Sequence, residues 1–290
     1  MFRGSFTALA TPFKNGQVDY EGLAKLIEFQ IQNGTNGLVP CGSTGESATL
    51  SHQEHEEVIR FTIETVKKRV PVIAGSGSNS TQEALQLTKS AAAAKADAAL
   101  VISPYYNKPT QKGIYEHYKY LNDNADIPII LYNVPGRTAK NMEAETTVAL
   151  SKLKNIVGMK EASGDLVQVA KILRDAPQGF LVLSGEDSLT YPMLAMGAQG
   201  AISVTSNIAP KECAQMINSY LAGDRDKSLA LHLQLLALSD SLFIETNPIP
   251  VKEALALMGF MEADVRLPLT RMLQENLQKL KSVLKEYKLI

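Results

Sequence analysis

Two stretches decide the fold: IILYNVPGRT (129–138) and, one helix length later, IVGMKEASGD (156–165). Each opens on an almost continuously apolar run and then breaks into a polar turn rich in Pro, Gly or Ser. A short apolar run without alternation suits a parallel strand buried on both faces. The chain between the two runs is long enough for a helix, which a parallel crossover requires. The same unit recurs in both directions, at FTALA (6–10), GLVP (37–40), VIAG (72–75), ALVIS (99–103), FLVLS (180–184) and AISVT (201–205). Eight such units in succession predict an α/β fold of the (β/α)8 TIM-barrel type over 1–224. A doubly wound sheet is the alternative, but its first strand–helix turn lacks G-x-G-x-x-G. The nearest approach, GSGSNS (75–80), follows the third strand and has Ser80 where the third glycine belongs. No phosphate-binding G-x-x-x-x-G-K-[ST] pattern occurs either.

The intervening segments carry helix signals. Ser51–Glu54 and Ser80–Glu83 both fit the capping-box spacing. Val58, Ile59, Ile63 and Val66 repeat at helical spacing. The polar break GDRDKS ends the strand–helix alternation, and beyond it the pattern is helical, as in Met272, Leu273, Leu277, Leu280, Val283 and Leu284. Residues 225–290 are therefore expected to form a C-terminal helical appendage, entered partly through a rigid turn at NPIP (247–250).

Composition narrows the function. In 290 residues, 29 Lys and Arg nearly balance 30 Asp and Glu, against the basic excess of a nucleic-acid binder. With 45% hydrophobic and 20% charged residues, wholesale disorder is excluded. Cys41 and Cys213 are too few for a disulfide framework, which suits a reducing compartment. The N-terminus MFRGSFTALATPF lacks the apolar core of a secretory signal. No apolar run is long enough to span a bilayer. A cytoplasmic protein without membrane or nucleic-acid partners is expected.

In a barrel, catalytic groups sit at the C-terminal strand ends and the loops beyond them. Lys160 closes the strand 156–160, the only lysine to end one of the eight. An amine among apolar walls loses hydration, which favours its neutral, nucleophilic form and makes a Schiff base with a carbonyl feasible. A strand-end lysine reaching for solvent is the plainer alternative, and position alone leaves both open. Tyr132 closes the preceding strand, and its hydroxyl can donate and accept protons in turn. Ser43, Thr44 and Tyr106 add hydroxyls on neighbouring loops; individually, rim and helix-capping roles fit them as well. Arg137, in the Pro-Gly-Arg turn, can grip a carboxylate with two parallel hydrogen bonds, although a lone loop arginine is more often simply solvated. Glu161 should point to the opposite face from Lys160. None of His52, His55, His117 and His232 ends a strand, so no metal site is expected.

Taken together, GSTGESATL (42–50), SPYYNKP (103–109), LYNVPGRT (131–138), MKEASGD (159–165), LSGEDS (183–188), AISVTSN (201–207) and NPIPVK (247–252) resemble the dihydrodipicolinate synthase family over essentially the whole chain. The Y-N-x-P and K-E-x-S core is shared with the wider pyruvate-dependent class I aldolases, which include N-acetylneuraminate lyase. The arginine of PGRT and the double tyrosine of PYYN are more specific to the synthases. The resemblance implies that Lys160 forms an imine with pyruvate, while Tyr132, Ser43 and Tyr106 relay protons, Tyr106 from the neighbouring subunit. It further implies that Thr44 holds the pyruvate carboxylate, that Arg137 binds the carboxylate of L-aspartate-4-semialdehyde, and that the main chain of Gly185 and Ile202 lines the site. The iminium is the electron sink, so no metal or organic cofactor is implied. A homotetramer built as a pair of dimers is implied too.

Two positions depart from the family pattern. Ser43 stands where Thr is usual; the hydroxyl survives, but without the stiffness of a β-branched side chain. Ala139 follows GRT where Gly is frequent, which matters only if that position needs a positive φ. A second site is also implied: Ser47, Ala48, His52, His55, Asn79, Glu83 and Tyr105 resemble the L-lysine feedback pocket of lysine-sensitive synthases. Two other functions stay in view. One is a lyase acting on a 2-keto-3-deoxy sugar acid or N-acetylneuraminate, for which a carboxylate grip at Arg137 would be out of place. The other is a non-catalytic keto-acid or amino-acid sensor, against which the retained Lys160 and Tyr132 argue.

Overall fold

The computed structural model describes residues 2–290. Eight parallel strands form the barrel: β1 (Gly4–Ala8), β2 (Gly37–Val39), β3 (Ile73–Gly75), β4 (Ala98–Ile102), β5 (Ile129–Asn133), β6 (Ile156–Glu161), β7 (Leu181–Ser184) and β8 (Gly200–Ser203). Their spatial order is β2-β1-β8-β7-β6-β5-β4-β3, and a parallel bridge from Leu38 to Val72 joins the two edges. Between them run α1 (Tyr20–Gln32), α2 (His52–Val66), α3 (Thr81–Ala93), α4 (Gln111–Asn124), α5 (Ala144–Leu150), α6 (Leu166–Asp175) and α7 (Thr190–Met196). After β8 comes α8 (Pro210–Leu221), and then α9 (Arg225–Ser241), α10 (Ile249–Leu257) and α11 (Gln274–Glu286). The (β/α)8 barrel with C-terminal helices expected from the sequence is the observed fold. No helix among the described residues is long and apolar enough to cross a membrane.

The strands lack alternation because both of their faces are covered. Phe6, Val39, Ile73, Leu100, Ile130, Leu183 and Ile202 fill the barrel interior. Their neighbours Leu38, Ala74, Ala99, Val101, Ile129, Leu131, Met159 and Val182 pack outward into the helical layer. Side chains of one parity therefore meet at the barrel axis and those of the other meet helices. The helix starts follow the expected chemistry. Ser51 and Glu54 complete a reciprocal capping box on α2, and Asp19, Thr110 and Asp165 cap α1, α4 and α6. Each such cap is worth about 1 kcal/mol.

Two expectations need correction, and one element was not expected at all. Ser80 caps α3 by accepting from Glu83 N, but Glu83 does not reach back to complete the box. Its carboxylate accepts instead from Ser78 Oγ and bonds His52 Nε2, partners that only the tertiary fold supplies. The first strand lies at 4–8 rather than 6–10. Leu9 and Ala10 leave the ladder there, and Ala10 N donates to Asn207 Oδ1. Beyond it, a two-stranded hairpin pairs Phe13–Lys14 with Gln17–Val18 around Asn15 and Gly16, both at positive φ. The sequence reading contained no such hairpin, although an Asn-Gly pair between apolar residues is its usual signal.

The appendage is fastened to the barrel. Leu235, Leu238, Leu242, Val251, Leu255, Leu280 and Leu284 belong to the same hydrophobic cluster as the outward faces of the strands. NPIP is the entry to a helix rather than a plain turn: Pro248 is the N-cap of α10 and Pro250 lies in its first turn, where the missing N–H is no loss.

Candidate active site

Tyr132 of β5 and Lys160 of β6 are register partners, as Ile130 and Gly158 are two residues below. Shared parity puts both side chains inside the barrel at its C-terminal end. Lys160 Nζ lies 4.4 Å from the centroid of the Tyr132 ring, and both residues are buried, each 6% exposed. Ile202 belongs to the same interior cluster as Tyr132. Gly185 follows β7 and leaves space for the lysine. A Cβ built there would stand 2.9 Å from Lys160 Cε and 2.7 Å from Ala162 Cβ.

Glu161, with the opposite parity, is buried on the outer face as expected. It accepts from Asn133 Nδ2, from Ser163 N at 2.6 Å and from Gln168 Nε2 at 3.1 Å. Burial pushes its carboxyl above the usual range, and these bonds pull it part of the way back. Asn133 Nδ2 also donates to Asn141 Oδ1. This buried amide–carboxylate cluster fixes the ends of the two strands that carry Tyr132 and Lys160. Glu186, next to Gly185, is likewise raised by burial and then by the neighbouring Asp187.

Above the strands opens a cavity of ≈ 500 Å³. Ser43, Tyr132 and Arg137 line one part of it, and Ser47, Ala48, His52, His55, Glu83 and Tyr105 line another. Residues of both expected sites thus line one cavity, while Lys160, Thr44, Gly185 and Ile202 are not among its lining residues. Thr44 is buried, and its hydroxyl accepts from Asn247 Nδ2 at 3.0 Å. Arg137 is exposed at the rim, where its guanidinium donates to the main-chain oxygen of Asn247 at 2.9 Å. Asn247 therefore ties together the two residues expected to bind carboxylates. The four-residue helical turn Pro135–Thr138 carries Arg137 and ends on Ala139, whose φ is +57°. The position where the family often has glycine does need the left-handed conformation.

In the second part of the cavity, His52 Nε2 meets Glu83 Oε1 at 2.8 Å, and Ser78 Oγ donates to the other oxygen. These bonds hold the Glu83 carboxyl below its ordinary range. His55 is buried, its Nδ1 has no partner among the described residues, and burial pushes its pKa down to about 4. Asn79 is half-buried beside the cavity, and its main-chain oxygen accepts from Asn107 Nδ2 at 2.9 Å. Tyr106 is not brought to this site by its own chain: it is 88% exposed and sits at φ +69°.

The sequence reading missed the residues behind the loop. Glu46 Oε1 accepts from Lys252 Nζ at 2.6 Å, and Glu46 Oε2 accepts from Arg266 N at 3.0 Å. The Arg266 guanidinium also pairs with Glu54 at 2.6 Å, holding that carboxyl down at about 2. Lys252 lies within NPIPVK, but no local pattern links it to a loop more than 200 residues earlier.

A sequence model of the dihydrodipicolinate synthetase family matches residues 1–287. The 4-hydroxy-tetrahydrodipicolinate synthase of Syntrophus aciditrophicus (strain SB) is 56% identical over 290 residues, covering 100% of both chains. Among solved structures, the chloride-inhibited dihydrodipicolinate synthase from Acinetobacter baumannii complexed with pyruvate is 44% identical, with a TM-score of 0.98 and 100% of each chain covered. The enzyme from Cyanidioschyzon merolae with lysine bound is 41% identical, with a TM-score of 0.97, covering 100% of this chain and 99% of its own.

Proposed function

The chain belongs to the dihydrodipicolinate synthetase family, and on that premise we propose how its residues carry the reaction. The reaction condenses pyruvate with L-aspartate-4-semialdehyde to 4-hydroxy-tetrahydrodipicolinate, the first committed step toward diaminopimelate and lysine. Lys160 Nζ attacks C2 of pyruvate, and loss of water from the carbinolamine leaves an imine. A proton lost from C3 gives the enamine, which forms a carbon–carbon bond to the aldehyde. The product's own amine then adds to C2, closes the ring and releases Lys160. Tyr132 carries protons at the carbinolamine and enamine steps, helped by Ser43 and by Tyr106 of a neighbouring subunit. Thr44 holds the pyruvate carboxylate, Arg137 the carboxylate of the aldehyde, and the main chain at Gly185 and Ile202 faces the bound keto acid.

The observation that carries this reading is the pairing of Tyr132 and Lys160, in register on adjacent strands and 4.4 Å from amine to ring. It puts a proton carrier beside the only lysine among the buried residues at these strand ends. The test is turnover of the two substrates, followed through a coupled reductase, with Lys160→Ala as control. Pyruvate followed by borohydride must leave a stable adduct on Lys160 in the parent and none in the variant. A parent that turns over neither substrate refutes the reading. A sugar-acid lyase is disfavoured by Arg137 at the rim, since a sugar needs hydroxyl partners.

The second half of the cavity reads as an L-lysine feedback site. Glu83 offers a carboxylate for an ammonium, and Ser47, Ala48, His52, His55, Asn79 and Tyr105 surround it. Inhibition of turnover by L-lysine tests this, and unchanged rates at saturating lysine remove it. The assembly reads as a homotetramer made of two dimers. The exposed Tyr106 supports an active site completed across a dimer interface, and sedimentation of the purified chain tests it.

A further inference from the structure

Glu46 closes the loop that carries Ser43 and Thr44, in a conformation that side chains other than glycine rarely adopt: its φ is +52°. Such a residue persists only where its surroundings over-determine it. Here they do. The Glu46 and Lys252 side chains are 1% and 0% exposed and meet at 2.6 Å. The Lys252 ammonium rests 4.1 Å from the centroid of the Phe13 ring, and the second Glu46 oxygen accepts from Arg266 N at 3.0 Å. Lys252 and Arg266 both come from the chain beyond the barrel, as does Asn247, which donates to Thr44.

Stability alone is a poor reason for this pair. Replacing both partners of a buried ion pair by well-packed neutral groups is often neutral or stabilising, because desolvation offsets the attraction. Its placing is more telling. Glu46 N donates to Ser43 O at 3.2 Å and Gly45 N to Gly42 O at 3.1 Å, while Thr11 Oγ1 donates to Gly45 O at 2.7 Å. The turn that ends at Glu46 therefore sets where the Ser43 and Thr44 hydroxyls stand.

We propose that Lys252 is a positioning residue for the pyruvate half of the reaction, acting through Glu46 on Ser43 and Thr44. The inference rests on the roles given above to those two hydroxyls. Arg137 is carried by a different loop and bonds the main-chain oxygen of Asn247, whereas the Asn247 side chain is what reaches Thr44, so the aldehyde's carboxylate should feel the pair less than pyruvate does. The signature is a rise in KM for pyruvate without a comparable rise in KM for the aldehyde.

Two variants test it. Glu46→Asp keeps the charge but shortens the arm by one methylene. The double variant Glu46→Gln with Lys252→Met removes both charges at nearly constant volume and leaves no lone buried ion. In each, KM for pyruvate should rise at least fivefold and borohydride-trapped imine should form correspondingly more slowly. KM for the aldehyde should stay within twofold. A purely structural pair would lower the melting temperature and leave both KM values unmoved. A folded variant of either kind whose pyruvate KM lies within twofold of the parent overturns the proposal. Should the double variant not fold, Glu46→Asp decides alone. Failure of the parent itself to trap pyruvate needs no variant to see, and it strikes the reading of the active site rather than this pair.

Discussion

Gly185→Ala isolates what the lysine's placement is worth. The glycine's φ lies outside the left-handed region, so alanine fits the backbone, and the main-chain bond from Gly185 N to Glu161 O at 2.8 Å can persist. The new methyl cannot fit as the site stands. It would lie 2.7 Å from Ala162 Cβ, 2.9 Å from Lys160 Cε and 3.0 Å from Lys160 Cγ. Ala162 has no rotamer to change, so the lysine must yield. Carbon pairs settle at about 3.5–4.0 Å, which displaces the Lys160 stem by roughly 0.6–1.1 Å. Overpacking of this kind costs about 1–3 kcal/mol of stability, or about 2–6 °C in Tm for a chain of this size. A misplacement of about 1 Å at a reacting group costs on the order of 100-fold in rate, about 2.7 kcal/mol in the barrier. The assay is kcat/KM in the coupled reaction together with the rate of borohydride-trapped imine at fixed pyruvate. Circular dichroism and a thermal melt establish that the fold is kept. A folded variant whose kcat/KM and trapping rate lie within threefold of the parent refutes the reasoning, because the nucleophile would then tolerate being moved.

Other perturbations have equally definite signs. Ala139→Gly relieves a non-glycine residue at φ +57°. Relief of about 1–2 kcal/mol, less about 0.4–1 kcal/mol for the freer unfolded chain, leaves a gain of up to about 1.6 kcal/mol, visible as a rise in Tm. His117 is buried, with Thr81 Oγ1 at 2.9 Å from its Nδ1, and burial lowers its pKa to about 4, as it does for His55. Each ring stays neutral in the fold while the unfolded chain takes up a proton near pH 6.5, so stability is full above that pH and falls between 6.5 and 4. The loss approaches about 3 kcal/mol per ring, and His117→Gln should remove about one proton from the slope of unfolding free energy against pH between 6.5 and 5. Equal slopes in parent and variant would refute the assignment. Glu83→Gln removes the charge that faces a bound ammonium, and the half-point of L-lysine inhibition should rise at least tenfold, since a charge-assisted bond is worth about 1.5–3 kcal/mol.

Why the barrel could be read and the loop's support could not is a matter of range. Ile129–Asn133 and Ile156–Glu161 announce themselves because burial on both faces leaves no place for a polar residue until the strand ends. Lys160 and Tyr132 then share a face by parity alone, and Glu161 falls on the other. Asn247, Lys252 and Arg266 reach Thr44 and Glu46 across 203, 206 and 220 residues, separations at which no periodicity carries information. Glu83 illustrates a local rule losing to tertiary structure. Its spacing from Ser80 fits a capping box, but His52, brought in from α2, and Ser78 offer its carboxylate stronger partners. The hairpin around Asn15 and Gly16 escaped for another reason: its strands are two residues each, too short to show alternation.

The loop 41–50 belongs to both halves of the cavity. In the proposed reading Ser43 and Thr44 serve the chemistry and Ser47 and Ala48 the lysine pocket, and Glu46 is the joint between them. The joint is bonded in both directions: Glu46 O accepts from Thr49 N at 3.0 Å and Thr49 Oγ1 at 3.1 Å, while Glu46 N donates back to Ser43 O. A ligand can shift the active site only by as much as it prefers one arrangement of such an element over another. Lysine held by Glu83 and the Ser47–Thr49 turn would have to express that preference here, because this turn joins its contacts directly to those of pyruvate. The coupling must also be reciprocal. Whatever factor lysine takes from the affinity for pyruvate, bound pyruvate takes from the affinity for lysine.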